Sequence, residues 1–199
     1  MPCRSRYPEG LFERMPEVIA AAILGLLASS PSWSSGTITD EPEENSYHYT
    51  SHYSIDIAAS AEEVWKHLVD LGSWMHDLEM AHVGGTPGAE GEVLRLYPGQ
   101  DFLVQVIRKI RPKLLVIANL PSTFRDEFST GSSVITLHQS GDITTVDMTN
   151  VRRYTWRGEG PNPVKEERSS PEFSDNAREM WQERFLGRLR ALAEHSETL

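Results

Sequence analysis

Polar and apolar residues alternate from Tyr47 to Ile57, with Tyr, Thr and Ile prominent, and this period of two predicts a strand. At Ser60 the period changes. Ser60-Ala61-Glu62-Glu63 is a capping box, in which the Ser60 hydroxyl accepts from the Glu63 N–H and the Glu63 side chain reaches back. A helix follows with Ala61, Val64, Trp65 and Leu68 on one face; Gly72 ends it, and Ser73-Trp74-Met75-His76 starts a second short turn or helix. Gly84-Gly85-Thr86-Pro87-Gly88 then breaks the chain.

Beyond the break the period returns to two. Strands are expected at residues 92–97, 102–110 and 114–119, joined by a type II turn at Pro98-Gly99 and a turn at Arg111-Pro112. Residues 121–130 read as an irregular or edge segment, and residues 132–139 and 142–154 as a hairpin. With Ser140-Gly141 as a two-residue loop, one face carries Leu137/Thr144, Ile135/Val146 and Ser133/Met148. The other carries His138/Ile143, Thr136/Thr145 and Val134/Asp147, so one face is apolar and the other wet. A Pro/Gly/charge-rich loop over residues 157–171 precedes a long helix, capped by Ser174-Asp175-Asn176 and running to about Glu194. Ala177, Trp181, Phe185, Leu189 and Leu192 form its apolar stripe. Strands followed by a packing helix make an α+β domain over residues 47–195.

The N-terminal residues differ. Arg4, Arg6 and Arg14 precede an apolar run from Val18 to Leu27 and a Ser/Pro-rich stretch, which is the pattern of a secretory signal peptide over residues 1–34. A cut before Ser35 would export the chain to the periplasm or the extracellular space. The other reading is an N-terminal hydrophobic helix, or translation from Met15, on a cytoplasmic protein. The run is too short to span a bilayer, so no stable membrane span is expected in the mature protein. Residues 35–46 read as a linker.

The 29 acidic and 19 basic residues give a net charge of −10, which repels a phosphate backbone, so no nucleic-acid partner is expected. The basic clusters Arg108-Lys109-Arg111-Lys113 and Arg152-Arg153 fall at expected strand ends and read as solvated edges. Cys3 is the single cysteine, which excludes a disulfide framework, a Cys-based zinc site and a cysteine nucleophile from residues 47–195.

The stretch from Ser54 to Trp74, SIDIAASAEEVWKHLVDLGSW, resembles the opening of START/Bet v 1-like (SRPBCC) domains, with Ala59 where a Pro is usual. Gly91-Glu92, the segment Ile110 to Val116 and the segment Gly141 to Val146 fall where those domains have similar pieces, the polyketide cyclase/dehydratase-like branch included. The resemblance implies the helix-grip fold: a curved antiparallel β-sheet wrapped around a long C-terminal α-helix, with two short helices after the first strand and an internal cavity. It implies a small hydrophobic molecule as partner, and no cofactor or metal. Ring-hydroxylase subunits of the superfamily need an iron site and a Cys/His iron–sulfur domain, for which this chain lacks the residues.

Within that frame, Trp74, Met75, Tyr97, Phe102, Phe124, Phe128, Met148, Met180 and Trp181 are the expected apolar lining, since Met and aromatic side chains suit a flexible apolar guest. Asn119, Ser133 and Asn150 are expected polar contacts, and Arg184 a partner for an acidic group on the guest. His76 and His82 are the candidate catalytic bases, because imidazole titrates near neutrality. His48 and His52, four apart on a strand, stand about 13 Å apart and make poor co-ligands for a metal. Three functions follow: a hydrophobic-ligand binding or carrier protein; a polyketide cyclase/dehydratase-like enzyme working by acid–base catalysis; and an Hsp90-activator-like interaction module. The sequence leaves the oligomeric state open.

Overall fold

The computed structural model describes residues 37–40, 45–97, 102–124 and 126–195. The expected signal peptide and the Pro98-Gly99 turn lie outside the described residues. Among the described residues eight strands form one antiparallel sheet: β1 (Thr37–Asp40), β2 (Ser46–Ile57), β3 (Ala81–Gly84), β4 (Val93–Leu96), β5 (Phe102–Ile110), β6 (Leu114–Phe124), β7 (Glu127–Ser140) and β8 (Ile143–Trp156). Their order across the sheet is β1-β2-β8-β7-β6-β5-β4-β3. Register shifts in the β3–β4, β5–β6 and β6–β7 ladders mark bulges, which bend strands and increase their twist.

Helices α1 (Ala61–Leu68) and α2 (Leu71–Trp74) and a 3₁₀ turn (His76–Leu78) connect β2 to β3. Ser60 Oγ accepts from the Glu63 N–H at 3.2 Å, as its position before the apolar stripe predicts. The helix ends at Leu68, so Gly72 lies inside α2 rather than closing α1. Helix α3 (Pro163–Arg168) occupies the loop after β8. The C-terminal helix α4 covers residues 171–195 in three consecutive pieces: Pro171–Arg178, a π-helical segment Glu179–Leu186, and Gly187–His195. Its buried face is Phe185, Leu186, Leu189 and Ala193. These join Ile57, Trp65, Leu68, Trp74, Leu115, Ile135, Val146 and Met148 in one core between helix and sheet.

Four expectations change. Thr37–Asp40, inside the expected linker, pairs with β2, because three β-branched residues can add to an open sheet edge. The expected irregular segment 121–130 is the far end of the β6–β7 hairpin, paired as Ser122↔Ser129, Thr123↔Phe128 and Phe124↔Glu127. Pro121 sits in the bulge between Asn119 and Ser122, where its missing N–H costs the ladder nothing. The β7–β8 loop is Gly141-Asp142, so Ser140 faces Ile143 and Leu137 faces Val146. That register is two residues from the expected one, and an even slip leaves every side chain on its expected face. Finally, α4 starts earlier: Ser170 Oγ accepts from the Phe173 N–H at 3.1 Å, and Pro171 at the first helical position pre-sets φ.

A buried ion pair ties α3 to the sheet. Glu127 on β7 is 1% exposed and accepts from Tyr47 Oη at 2.7 Å, from Asn162 Nδ2 at 3.1 Å and from Arg168 Nη1. The Arg168 guanidinium lies 3.8 Å from the Tyr154 ring centroid, and Tyr154 stacks on Tyr47. Asn162 also caps α3 through the Val164 and Lys165 N–H groups.

Candidate functional site: a cavity under the C-terminal helix

Between the sheet and α4 lies a cavity of about 340 Å³, within the range of small-molecule sites. Its existence follows from the elements around it. A straight helix over a curved sheet packs closely along part of its length and leaves space along the rest. Here the π-helical segment carries Met180, Trp181 and Phe185 over that space, and such widened turns recur at functional positions. The Trp181 ring stands edge-on to Phe185 at 5.3 Å and stacks on Tyr53 at 6.4 Å. Opposite them, Ile135 and Met148 rise from the sheet, and Trp74 and Met75 close one side. Trp74 Nε1 donates to the Leu68 carbonyl at 3.1 Å, so its ring is free to serve as apolar wall.

Polar groups enter the wall as two cross-strand rows. In the first, Ser51, Asn150 and Ser133 are neighbours on β2, β8 and β7. Ser133 Oγ donates to Asn150 Oδ1 at 2.6 Å, and Asn150 Nδ2 donates to Ser51 Oγ at 3.5 Å. This row is internally satisfied. The second row, two residues along each strand, runs Tyr49, Arg152, Gly131, Asn119 across β2, β8, β7 and β6. Tyr49 Oη and Asn119 Nδ2 are buried there without a hydrogen-bond partner among the described residues, although a buried donor left unpaired is costly.

Ten expected contacts line the cavity: Trp74, Met75, Tyr97, Phe102, Asn119, Ser133, Met148, Asn150, Met180 and Trp181. Three do not. Phe128 lies under the Arg157 guanidinium at 4.6 Å, away from the cavity lining. Arg184 is 56% exposed and pairs with Asp77 at 3.6 Å. The Phe124 side chain lies outside the described residues. Neither expected base reaches the cavity: His76 is exposed and pairs with Asp77 at 2.8 Å, and His82 is exposed and pairs with Glu92 at 3.2 Å. Sequence reasoning missed Tyr49, Ser51, Tyr53 and Arg152. The signal was present in the alternation, since 49, 51 and 53 share a face, and so do 148, 150 and 152. Arg152, read as a solvated edge, is the one charged side chain among the described lining residues. No group of three or more His, Cys, Asp or Glu among the described residues could hold a metal ion. No described helix is long and apolar enough to cross a membrane.

Burial pushes the Tyr49 hydroxyl up to about 12, with the neighbouring Tyr53 and Tyr154 adding to the shift and Arg168 opposing it. Tyr47 moves in the same direction, through burial first and then its bond to Glu127. The unfolded chain loses these protons near the ordinary tyrosine value of about 10 while the native state holds them. Their contribution to stability is therefore complete below about pH 10 and is lost as pH rises from there toward 12. Tyr49→Phe is expected to shrink the fall in unfolding free energy between pH 9 and pH 11. Urea titrations of both proteins at the two pH values measure it; equal falls would mean Tyr49 titrates freely.

No protein-family model and no curated protein matches the sequence. Solved structures do match. A protein from Nitrosospira multiformis aligns with a TM-score of 0.53 at 18% identity, over 75% of this chain and 99% of its own. The Zhui aromatase/cyclase from Streptomyces sp. R1128 aligns with a TM-score of 0.51 at 18% identity, over 75% and 96%. Ara h 8.0201 aligns with a TM-score of 0.51 at 12% identity, over 76% and 99%. These likenesses establish the fold: this chain has the helix-grip fold of START/Bet v 1-like proteins.

Proposed function

We propose that this chain binds one small, largely apolar molecule in the cavity between its sheet and C-terminal helix, as a binding or carrier protein. One observation carries the reading. The cavity wall is built of Met, Trp, Phe, Tyr and aliphatic side chains with a few polar groups fixed on the sheet, and it has room for a guest of drug-like size. Met and Trp side chains adapt to irregular apolar shapes, which suits a guest held by packing rather than by a dense polar network.

Native mass spectrometry of the full chain, gently purified from its own host, tests this. A discrete extra mass that leaves on denaturation is the expected result. A clean apo mass, together with no saturable binding of an apolar fluorophore such as N-phenyl-1-naphthylamine, would remove the reading. The enzymatic alternative, a polyketide cyclase/dehydratase-like activity, is favoured by the hydroxyls of Tyr53 and Tyr97 and the guanidinium of Arg152 in the wall. Burial raises the pKa of both tyrosines, opposed at Tyr53 by its hydrogen bond with Ser51 and then by Arg152, and at Tyr97 by Arg152, so both stay protonated at neutral pH and would serve as hydrogen-bond donors to a substrate oxygen.

A further inference from the structure

The second polar row has a composition that the apolar guest alone does not explain. Each of its three polar side chains offers a donor, the Tyr49 hydroxyl, the Asn119 amide nitrogen and the Arg152 guanidinium, and the guanidinium has no acceptor at all. Asn119 is 8% exposed and Tyr49 7%, and neither donor atom has a partner among the described residues. Arg152 has no carboxylate within ion-pair distance among the described residues. Its guanidinium lies 5.8 Å from the centroid of the Phe102 ring, itself part of the cavity wall.

Gly131 makes this placement possible. It faces Arg152 on one side and Asn119 on the other. A Cβ there would come within 2.4 Å of the Val151 carbonyl oxygen and 3.0 Å of Arg152 Cγ. The missing side chain leaves room beside the Val151 carbonyl and the Arg152 stem, and the guanidinium ends near the Phe102 ring of the cavity wall. A guanidinium held against an aromatic ring inside a pocket keeps its charge, and its planar fork matches a carboxylate.

We propose that the guest carries an anionic group, a carboxylate by chemistry, that sits against the Arg152 guanidinium with the Asn119 amide as second donor. The apolar body then lies toward Trp74, Met148 and Trp181. This rests on the cavity-binding reading above and narrows its ligand to apolar acids.

The experiment is a competition on the full chain. N-phenyl-1-naphthylamine, which is neutral, reports occupancy by fluorescence. It is displaced by 2-naphthoate and by 2-naphthalenemethanol, which share a ring system and differ in charge. The wild-type protein is expected to bind the acid more tightly than the alcohol by at least about tenfold at low salt. In Arg152→Gln the ratio of the two affinities is expected to fall to near one; in Asn119→Leu it falls partway. Arg152→Lys, which keeps the charge and loses the fork, retains part of the preference and serves as the check on folding. A wild-type ratio near one, with the fluorophore bound, overturns the acid proposal and leaves the cavity reading standing. So does an unchanged ratio in Arg152→Gln. Failure of the fluorophore to bind the wild-type protein at all overturns the cavity reading, and the acid proposal with it.

Discussion

Replacing Glu127 with alanine is expected to cost the domain about 3–5 kcal/mol, because it leaves the Arg168 guanidinium in a buried site without its carboxylate. The Arg168 side chain is 13% exposed, so water cannot substitute for the lost partner. Tyr47 Oη and Asn162 Nδ2 lose an acceptor at the same time. The pair itself is a different matter, since replacing both charges by apolar groups of similar volume is often neutral or stabilising. Glu127→Leu combined with Arg168→Met should therefore be closer to wild type than either single variant. Urea unfolding of wild type, Glu127→Leu, Arg168→Met and the double variant, read with a common m-value, measures the coupling, and Glu127→Ala is read alongside them. A loss below about 1 kcal/mol for Glu127→Ala would show that the pair is solvated in solution and behaves as a surface salt bridge.

That pair also marks how far the sequence could be read. Glu127 sits in a stretch that looked irregular, and Arg168 follows 41 positions later, so no local periodicity links them. Where a period existed, faces were legible. Tyr53 and Ile57 on β2, and Met148 and Asn150 on β8, fall on the side that the alternation assigns. The helix stripe likewise placed Trp181 over the cavity and Phe185 in the core. Register was not legible, because a slip of two residues exchanges partners without exchanging faces, and only the ladder itself distinguishes Leu137↔Val146 from Leu137↔Thr144. His76 and His82 belong to the connection after α2 and to a four-residue strand. Neither stretch has enough turns or alternations to say which way a side chain faces. Arg152 failed for another reason: charge argued for solvent, while its parity with Met148 and Asn150 argued for the cavity. Parity prevailed, and Gly131 beside it leaves room for the Arg152 stem on that face.

Cavity wall and packed core can be separated by two truncations on the same helix. Phe185 is 1% exposed and lines the cavity; Leu189, one turn on, is fully buried and does not. Phe185→Ala should destabilise the protein by about 3–5 kcal/mol and Leu189→Ala by about 2–5 kcal/mol. Their responses to ligand should differ. Removing the Phe185 ring enlarges the cavity, so under the proposed binding reading a bulkier apolar probe regains packing there and binds at least as tightly as to wild type. At a free probe concentration of about 100 Kd, linkage restores about 2.7 kcal/mol to any variant that binds. Leu189 is not part of the cavity lining, so a bulkier probe is expected to gain nothing from the void left there. Thermal unfolding with a graded series of apolar probes therefore reads the two sites apart. Probe size should shift the Tm of Phe185→Ala progressively upward relative to wild type, and that of Leu189→Ala by the wild-type amount. Equal size dependence in both variants would mean that α4 and the sheet enclose one continuous packed core rather than a chamber for a guest.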